Sequence, residues 1–304
     1  MTQNAAEHSF NFFTIEWLEH FGAIRDPDEL RRVVRTAPGE LALLGFGHGE
    51  PRRVQLCADL IGWLFLFDDR FADGELRRQP AQLAAIHARL TNILRLEIVA
   101  PENPIEACLQ HLFERFAAHA PEHWVRRLGD SVRLYFEGCE LEARCRAAGT
   151  RCSLEEYLVI RLLSVGVYPM LDLVEFTQDA FLGECEVGSE LVAGARRAAT
   201  LSTAMTNDLY SSHKESLEDD SFNAVLVVSQ DEGLSFQAAF ERIQQLQRGF
   251  HEQFAEFEAK LLNAQCSSAV RAFLGGASVW MEGNRQWSAS CARYNQLKAA
   301  LAVH

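Results

Sequence analysis

The 304-residue sequence predicts an all-α fold in a single domain. Long segments carry apolar residues three or four positions apart, which is the spacing of one helix face. Alternating strand patterns with hairpin turns between them are almost absent. No repeat, low-complexity tract or Gly/Ser-rich linker divides the chain. We therefore expect one domain over residues 1–304 with about ten helices, for which a bundle around a core cavity is one arrangement.

Proline and glycine mark the ends of the predicted helices. Segments 51–74 and 121–149 both begin with Pro and end with Gly, as helices commonly do. Segment 104–120 also begins with Pro. Ser153, with Glu156 three residues later, forms the capping-box pattern that starts another helix. Apolar spacing predicts further helices over 187–216, 234–263 and 266–300.

The stretch GELALLGFGHGEP, residues 39–51, is rich in glycine and is predicted to be a loop. Gly45 and Gly47 do not complete the GxGxxG fingerprint, and no predicted strand precedes them. We therefore expect a turn here and not a nucleotide-binding cradle.

Composition excludes several classes of function. The formal net charge is −13 and no Lys/Arg-rich cluster occurs, which argues against nucleic-acid binding. No uninterrupted apolar run reaches the ~18–20 residues that cross a bilayer, so we expect no stable membrane insertion. The N-terminal residues lack the pattern of a secretory signal. The eight cysteines are scattered without a CxxC, which indicates reduced thiols and a cytoplasmic location.

A first group of candidate residues lies in GWLFLFDDRFADGE, residues 62–75. The apolar part predicts a helix that is buried nearly all round. Asp68, Asp69 and Asp73 follow it directly, and buried carboxylates are costly unless a basic group or a metal ion compensates them. Carboxylate oxygens suit Mg²⁺. A solvated helix end is the alternative interpretation of this acidic stretch.

A second group lies in NDLYSSHKE, residues 207–215. Asn207, Ser211 and Glu215 are four residues apart and therefore line one helix face. An amide, a hydroxyl and a carboxylate form an oxygen site that binds Mg²⁺ best when a substrate adds further oxygens. Lys214 adds a donor that suits a phosphate. The alternative is a polar face at the surface.

The two motifs together resemble those of class I terpene synthases, in particular the single-domain bacterial terpene cyclases. DDRFAD is similar to their aspartate-rich motif, and NDLYSSHKE fits their ND-x-x-S-x-x-x-E motif. WMEGNRQWSASCARYN resembles their C-terminal stretch, and RLLSVGVYP, residues 161–169, resembles their helix-break segment. The resemblance spans about 60–294. One departure is that three residues, where many relatives have two, separate Asp69 from Asp73.

The resemblance implies the fold and chemistry of that family: an α-helical bundle with a central active-site cavity, in which a linear isoprenoid diphosphate is ionised. We expect farnesyl diphosphate as the substrate, and pyrophosphate and a sesquiterpene hydrocarbon or alcohol as products. Three Mg²⁺ ions are expected, with Mn²⁺ as an alternative ion.

The resemblance also implies roles for individual residues. Asp68 is the main metal ligand of the first motif, whereas Asp69 pairs with a basic group and Asp73 binds metal only through water. The expected metal ligands are Asp68, Asp73, Asn207, Ser211 and Glu215. The expected diphosphate ligands are Arg161, Lys214, Arg293 and Tyr294.

Aromatic side chains and a helix break complete the expected site. Phe65 and Trp280 are expected to line the pocket, because aromatic faces stabilise a carbocation without reacting with it. For Tyr168 and Phe136, core packing is the alternative. Diphosphate contact at Arg161, passed through Ser164 to the carbonyl of Val165, is expected to trigger ionisation. Gly166 and Pro169 favour a helix interruption there.

Other functions remain open from the sequence. Aliphatic residues at Leu64, Val165 and Met170 leave room for geranylgeranyl diphosphate and hence for a diterpene synthase. A chain-elongating prenyltransferase shares the fold, but it carries two Asp-rich motifs and this chain has one. A non-catalytic isoprenoid-binding protein is the third alternative. The family also suggests a homodimer.

Overall fold

The computed structural model describes residues 3–97, 100–149, 152–217 and 222–294. Within these ranges the chain forms fourteen α-helices and one π-helical segment, and no strand. The all-α prediction is therefore confirmed. The helices are α1 (Gln3–His20), α2 (Pro27–Thr36), α3 (Pro38–Phe46), α4 (Pro51–Phe67), the π-helical segment (Asp68–Glu75), α5 (Pro80–Leu94), α6 (Pro104–Ala117), α7 (Glu122–Ala148), α8 (Leu154–Ser164), α9 (Val167–Gln178), α10 (Glu184–Val187), α11 (Glu190–Leu217), α12 (Ala224–Asp231), α13 (Phe236–Asn263) and α14 (Ser268–Ser290).

The sequence signals at helix ends are confirmed. Helices α2 to α6 each have Pro in their first turn. The Ser153 hydroxyl accepts from the amide of Glu156, and the Glu156 carboxylate accepts from the amide of Ser153, which completes the capping box. The described residues form fourteen α-helices, whereas the sequence predicted about ten. Short helices such as α2 and α12 have too few turns to show a clear apolar period. The predicted helix 266–300 corresponds to α14, which ends at Ser290. Residues 295–300 lie outside the described residues.

The prediction of a loop over 39–51 is wrong for its first half, because α3 occupies Pro38–Phe46. The α3 glycines Gly39 and Gly45 serve close packing, whereas Gly47 and Gly49 lie in the predicted turn after the helix. A Cβ at Gly39 would lie 2.4 Å from the backbone nitrogen of Asn11 in α1, and one at Gly45 would lie 2.5 Å from the Trp280 ring in α14. Two helices can approach this closely only where side chains are missing.

A cavity of about 440 Å³ opens in the centre of the helices. Its walls come from α4, the π-helical segment, α7, the α8–α9 junction, α11 and α14. The main hydrophobic core surrounds it, and a smaller core lies where α8, α12 and α13 pack against α11. The bundle with a central cavity is thus confirmed.

One described stretch, Leu154–Gln178, is long and apolar enough by length and composition to cross a membrane. It escapes the sequence search for an uninterrupted run because Arg161 and Asp172 interrupt it. In the structure the stretch is broken between α8 and α9, and 61% of its apolar window is buried inside the protein. It therefore has the features of a core segment of the bundle.

Candidate active site

The acidic motif occupies the π-helical segment that continues the buried helix α4. The amide of Leu76 bonds the carbonyl of Phe71 at 3.0 Å, which is the five-residue spacing of a π-helix. This wider turn accommodates the extra residue before Asp73, because residues five apart, such as Asp68 and Asp73, then lie on one side of the segment. Asp68, Asp69 and Asp73 all line the cavity. Burial, and next the charge of Asp73, raise the pKa of Asp68 well above its usual range.

Each aspartate of the motif has a different partner. The Tyr135 hydroxyl donates to Asp68 Oδ1 at 2.9 Å. Arg293 Nη1 lies 2.7 Å from Asp69 Oδ1, whereas Arg293 Nη2 lies 3.9 Å from Asp68 Oδ2. The predicted pairing of Asp69 with a basic group is therefore confirmed. Among the described residues, the close donor to Asp68 is the neutral hydroxyl of Tyr135. Asp73 Oδ1 lies 3.1 Å from Arg146 Nη2.

Helix α11 supplies the opposite group of polar side chains. Asn207, Lys214 and Glu215 line the same cavity as the aspartates. Ser211 is 2% exposed and is not part of the cavity wall. Its hydroxyl forms a hydrogen bond with Glu215, which does line the cavity. Burial, followed by the charge of Asp208, raises the pKa of Glu215 to about 7.

Two of the predicted diphosphate ligands, Arg161 and Tyr294, meet at Asn207. Arg161 Nη2 donates to Asn207 Oδ1 at 2.7 Å, and Asn207 Nδ2 donates to the Tyr294 hydroxyl at 2.7 Å. Arg161, Lys214, Arg293 and Tyr294 all line the cavity. A single amide therefore connects the helix-break arginine to the C-terminal Arg-Tyr pair.

Sequence reasoning missed the residues that hold this arrangement in place. Asp208 is 1% exposed, accepts from the Tyr157 hydroxyl at 2.5 Å and lies 2.8 Å from Arg161 Nη2. Its position beside Asn207 in the second motif is the signal that could have identified it. Asn223, which bonds Glu215, lies outside every motif and left no signal.

The predicted helix interruption is confirmed. Helix α8 ends at Ser164, Gly166 has a φ of +68°, and α9 begins at Val167. Glycine adopts this left-handed conformation without the steric cost that other residues carry. Arg161, Ser164 and Val165 all line the cavity, so the three positions of the expected triad are close to one another.

One part of the cavity wall is aromatic. Phe65 stacks on Trp287 with ring centroids 5.4 Å apart, and the Arg293 guanidinium lies 5.4 Å from the centroid of Phe65. Trp280 lines the cavity and stacks on Phe46 at 5.1 Å. Trp287 is a cavity residue that sequence reasoning did not name, although it lies within the C-terminal motif.

The two weaker aromatic candidates are not part of the cavity wall. Phe136 is 1% exposed and stacks on His87 at a centroid distance of 4.4 Å, so it is a core residue. Tyr168 packs against the smaller core, with the Arg196 guanidinium 5.7 Å from its ring centroid. The core-packing alternative is correct for both.

The donor set fits a divalent cation that a ligand helps to bind. Among the described residues, no three His, Cys, Asp or Glu side chains converge on one point. Instead, hard oxygen donors lie on the π-helical segment and on α11, which both border one cavity. Burial, and next the repulsion from Asp73, raise the pKa of Asp68, and a bound cation would offset both effects. Such sites are completed by water and by substrate phosphates, which is how Mg²⁺ is usually bound.

The fold and the site define a class I terpene synthase. The family described as "Terpene synthase family 2, C-terminal metal binding" matches residues 59–250, and the chain belongs to it. The site is thus that of a terpene synthase, which is a lyase that depends on divalent metal.

Individual relatives extend this result. The chain is 29% identical over 290 residues to a (+)-T-muurolol synthase from Roseiflexus castenholzii, covering 92% of this chain and 87% of the relative. It is 25% identical over 289 residues to a germacrene A synthase from Nostoc punctiforme, covering 94% and 90%. Germacradien-4-ol synthase from Streptomyces citricolor shares the fold with a TM-score of 0.81 and 23% identity, covering 93% of each chain.

Proposed function

We propose that this protein is a Mg²⁺-dependent sesquiterpene synthase that ionises farnesyl diphosphate and releases pyrophosphate. The observation that carries the proposal is one cavity with carboxylates and cationic donors in its wall beside a surface of stacked aromatic rings. A prenyl diphosphate needs both surfaces within the length of one molecule. The T-muurolol relative is described as cyclising (2E,6E)-farnesyl diphosphate, which supports this chain length.

The polar half of the cavity prepares the leaving group. Three Mg²⁺ ions, or Mn²⁺ in their place, would act as Lewis acids on the departing pyrophosphate, held by Asp68, Asn207 and Glu215 with Ser211 and a water-mediated Asp73. Arg161, Lys214, Arg293 and Tyr294 would donate to the diphosphate oxygens. Arginine binds phosphate in a bidentate manner, which fixes the leaving group in one orientation.

The break between α8 and α9 is the proposed trigger of ionisation. Arg161 lies within hydrogen-bonding distance of Asn207 and Asp208. A diphosphate that accepts hydrogen bonds from the Arg161 guanidinium would therefore disturb both contacts. Gly166 ends the regular backbone one residue after Val165. A shift of Arg161 would then reach the Val165 carbonyl through Ser164 and direct it toward the reacting carbon.

The aromatic half excludes water and faces the cation. Phe65, Trp280 and Trp287 present ring faces whose negative quadrupole attracts positive charge without forming a bond to it. Trp287 contacts Tyr294 edge-on, with ring centroids 5.8 Å apart, so this aromatic surface lies directly beside a proposed diphosphate ligand. The carbocation would therefore form next to the rings that stabilise it.

The alternative functions differ in their products. A chain-elongating prenyltransferase would release longer diphosphates, and an isoprenoid-binding protein would release none. Geranylgeranyl diphosphate as a substrate would give a C20 product. A cytoplasmic location and a homodimer remain predictions.

The direct test is incubation with geranyl, farnesyl or geranylgeranyl diphosphate, with and without Mg²⁺, followed by analysis of the volatile extract. We expect a C15 hydrocarbon or alcohol from farnesyl diphosphate only when Mg²⁺ is present. Asn207→Ala and Glu215→Ala should abolish turnover while helicity is retained. Glu241→Ala, which removes an exposed carboxylate from α13, is the matched control. Full activity of either cavity variant, or elongated diphosphates as products, would contradict the proposal.

The register of the acidic motif has its own test. We expect Asp68→Ala to lower kcat more than Asp73→Ala. Asp73 already forms an ion pair with Arg146, whereas Asp68 has no ion pair closer than 3.9 Å among the described residues. The reverse order would mean that Asp73 is the main ligand.

A further inference from the structure

We propose that Asn223 is a positioning residue that holds the second metal-binding motif in its binding geometry. Asn223 lies outside that motif and is 0% exposed. It is the residue that caps helix α12, and its side chain reaches back to the last turns of α11. The inference rests on the proposed function, because it concerns the geometry of the proposed ligands Ser211 and Glu215.

The contacts of Asn223 all lie at one end of α11. Its Nδ2 lies 2.8 Å from Glu215 Oε2, 2.9 Å from the carbonyl oxygen of Asp208 and 3.2 Å from Ser211 Oγ. A primary amide has two hydrogens, so the two shortest contacts are its main bonds and Ser211 receives a weaker share. Its Oδ1 accepts from the amide of Val225 at 2.9 Å. Both ends of the amide are therefore used.

An amide suits this position better than a charged donor does. Glu215 is partly buried and close to the negative charge of Asp208, and the donor from Asn223 holds its side chain in one rotamer. A lysine or arginine there would neutralise the carboxylate and compete with the cation. The amide of Asn223 fixes the carboxylate orientation and leaves its negative charge for the metal. Outer partners of this kind orient metal ligands in many proteins.

The competing explanation is that Asn223 serves only as the N-cap of α12. Asn223→Ser separates the two roles, because serine is as good an N-cap but its short side chain does not span the distance to Glu215. Asn103→Ser is the matched control. Asn103 is also an N-cap, accepts from the amide of Glu106 at 3.0 Å, and lies outside the cavity wall.

The readout is the Mg²⁺ concentration that gives half of the maximal thermal stabilisation in the presence of inorganic pyrophosphate. We expect Asn223→Ser to raise this concentration about 10–100-fold, which is the usual cost of losing an outer partner of a metal ligand. Asn103→Ser should leave it unchanged. The stability of Asn223→Ser without metal should remain close to that of Asn103→Ser.

Other outcomes overturn the proposal in different ways. An unchanged Mg²⁺ response in a folded Asn223→Ser would show that the residue only caps α12. If that variant does not fold, Asn223→Thr, which also caps and fills more volume, should fold and show the same shift. Failure of both to fold would make the residue a requirement of the fold. A wild-type protein without any Mg²⁺ response would instead contradict the proposed function.

Discussion

Gly45→Ala should destabilise the protein and disturb its aromatic pocket together. The added methyl group would lie 2.5 Å from Cε3 and 2.9 Å from Cζ3 of Trp280, well inside the contact distance of two carbon atoms. Trp280 is 1% exposed and stacked on Phe46, so it has little room to move. Over-packing of this kind costs about 1–3 kcal/mol.

The magnitude can be checked by thermal unfolding. For a chain of this size a loss of 1 kcal/mol lowers Tm by about 2–4 °C, so we expect Gly45→Ala to lower Tm by roughly 2–12 °C. Because Trp280 lines the cavity, the product mixture should change as well. Both effects come from one displaced ring and should appear in the same variant.

Gly275→Ala is the control, since it lies in the same helix as Trp280 and its added methyl group would meet nothing within 4 Å. This substitution should raise stability by about 0.4–1 kcal/mol, because it reduces the entropy of the unfolded chain. If Gly45→Ala is as stable as Gly275→Ala and gives the wild-type products, the argument that glycine permits close packing of α3 on α14 is refuted.

Three further predictions concern buried polar contacts. Asp208→Asn should cost about 3–5 kcal/mol in urea denaturation, since it removes the closest negative charge from Arg161. A loss below about 1 kcal/mol would mean that solvent compensates the pair. Burial raises the pKa of Glu29, but its hydrogen bonds with Arg70 and Arg25 outweigh burial and lower the pKa to about 2. The stabilisation by this carboxylate is therefore complete above pH 4.5 and is lost as the pH falls toward 2. The stability difference between wild type and Glu29→Gln, of roughly 3 kcal/mol at pH 7, should therefore shrink between pH 5 and pH 3, and a constant difference would contradict that pKa. Tyr135→Phe removes the bond to Asp68 and should raise the Mg²⁺ requirement of turnover several-fold without a loss of helicity, whereas an unchanged requirement would separate Tyr135 from the metal site.

The helices and the two motifs could be predicted because their signals are local. Prolines and capping residues identify helix starts within a few positions, as Ser153 and Glu156 do for α8. The four-residue spacing of Asn207, Ser211 and Glu215 defines one helix face whatever surrounds it. These features depend on neighbours in sequence, which a single sequence contains.

What could not be predicted depends on contacts between distant parts of the chain. Gly45 suggests a loop locally, yet it lies in helix α3, and its missing side chain makes room for Trp280 of α14. Ser211 lies on the correct face but below the cavity wall, because helix orientation sets its depth. Asn223 approaches Glu215 only after the chain has turned from α11 into α12. No pattern within one segment records such contacts.

The proposed site is tested most directly by a crystal structure with Mn²⁺ and pyrophosphate, in which anomalous scattering locates the ions. We expect ions between Asp68 on one side and Asn207 and Glu215 on the other, with the pyrophosphate bridging them and contacting Arg161 and Arg293. Ions and pyrophosphate bound away from this cavity, or ions held by only one of the two motifs, would contradict it.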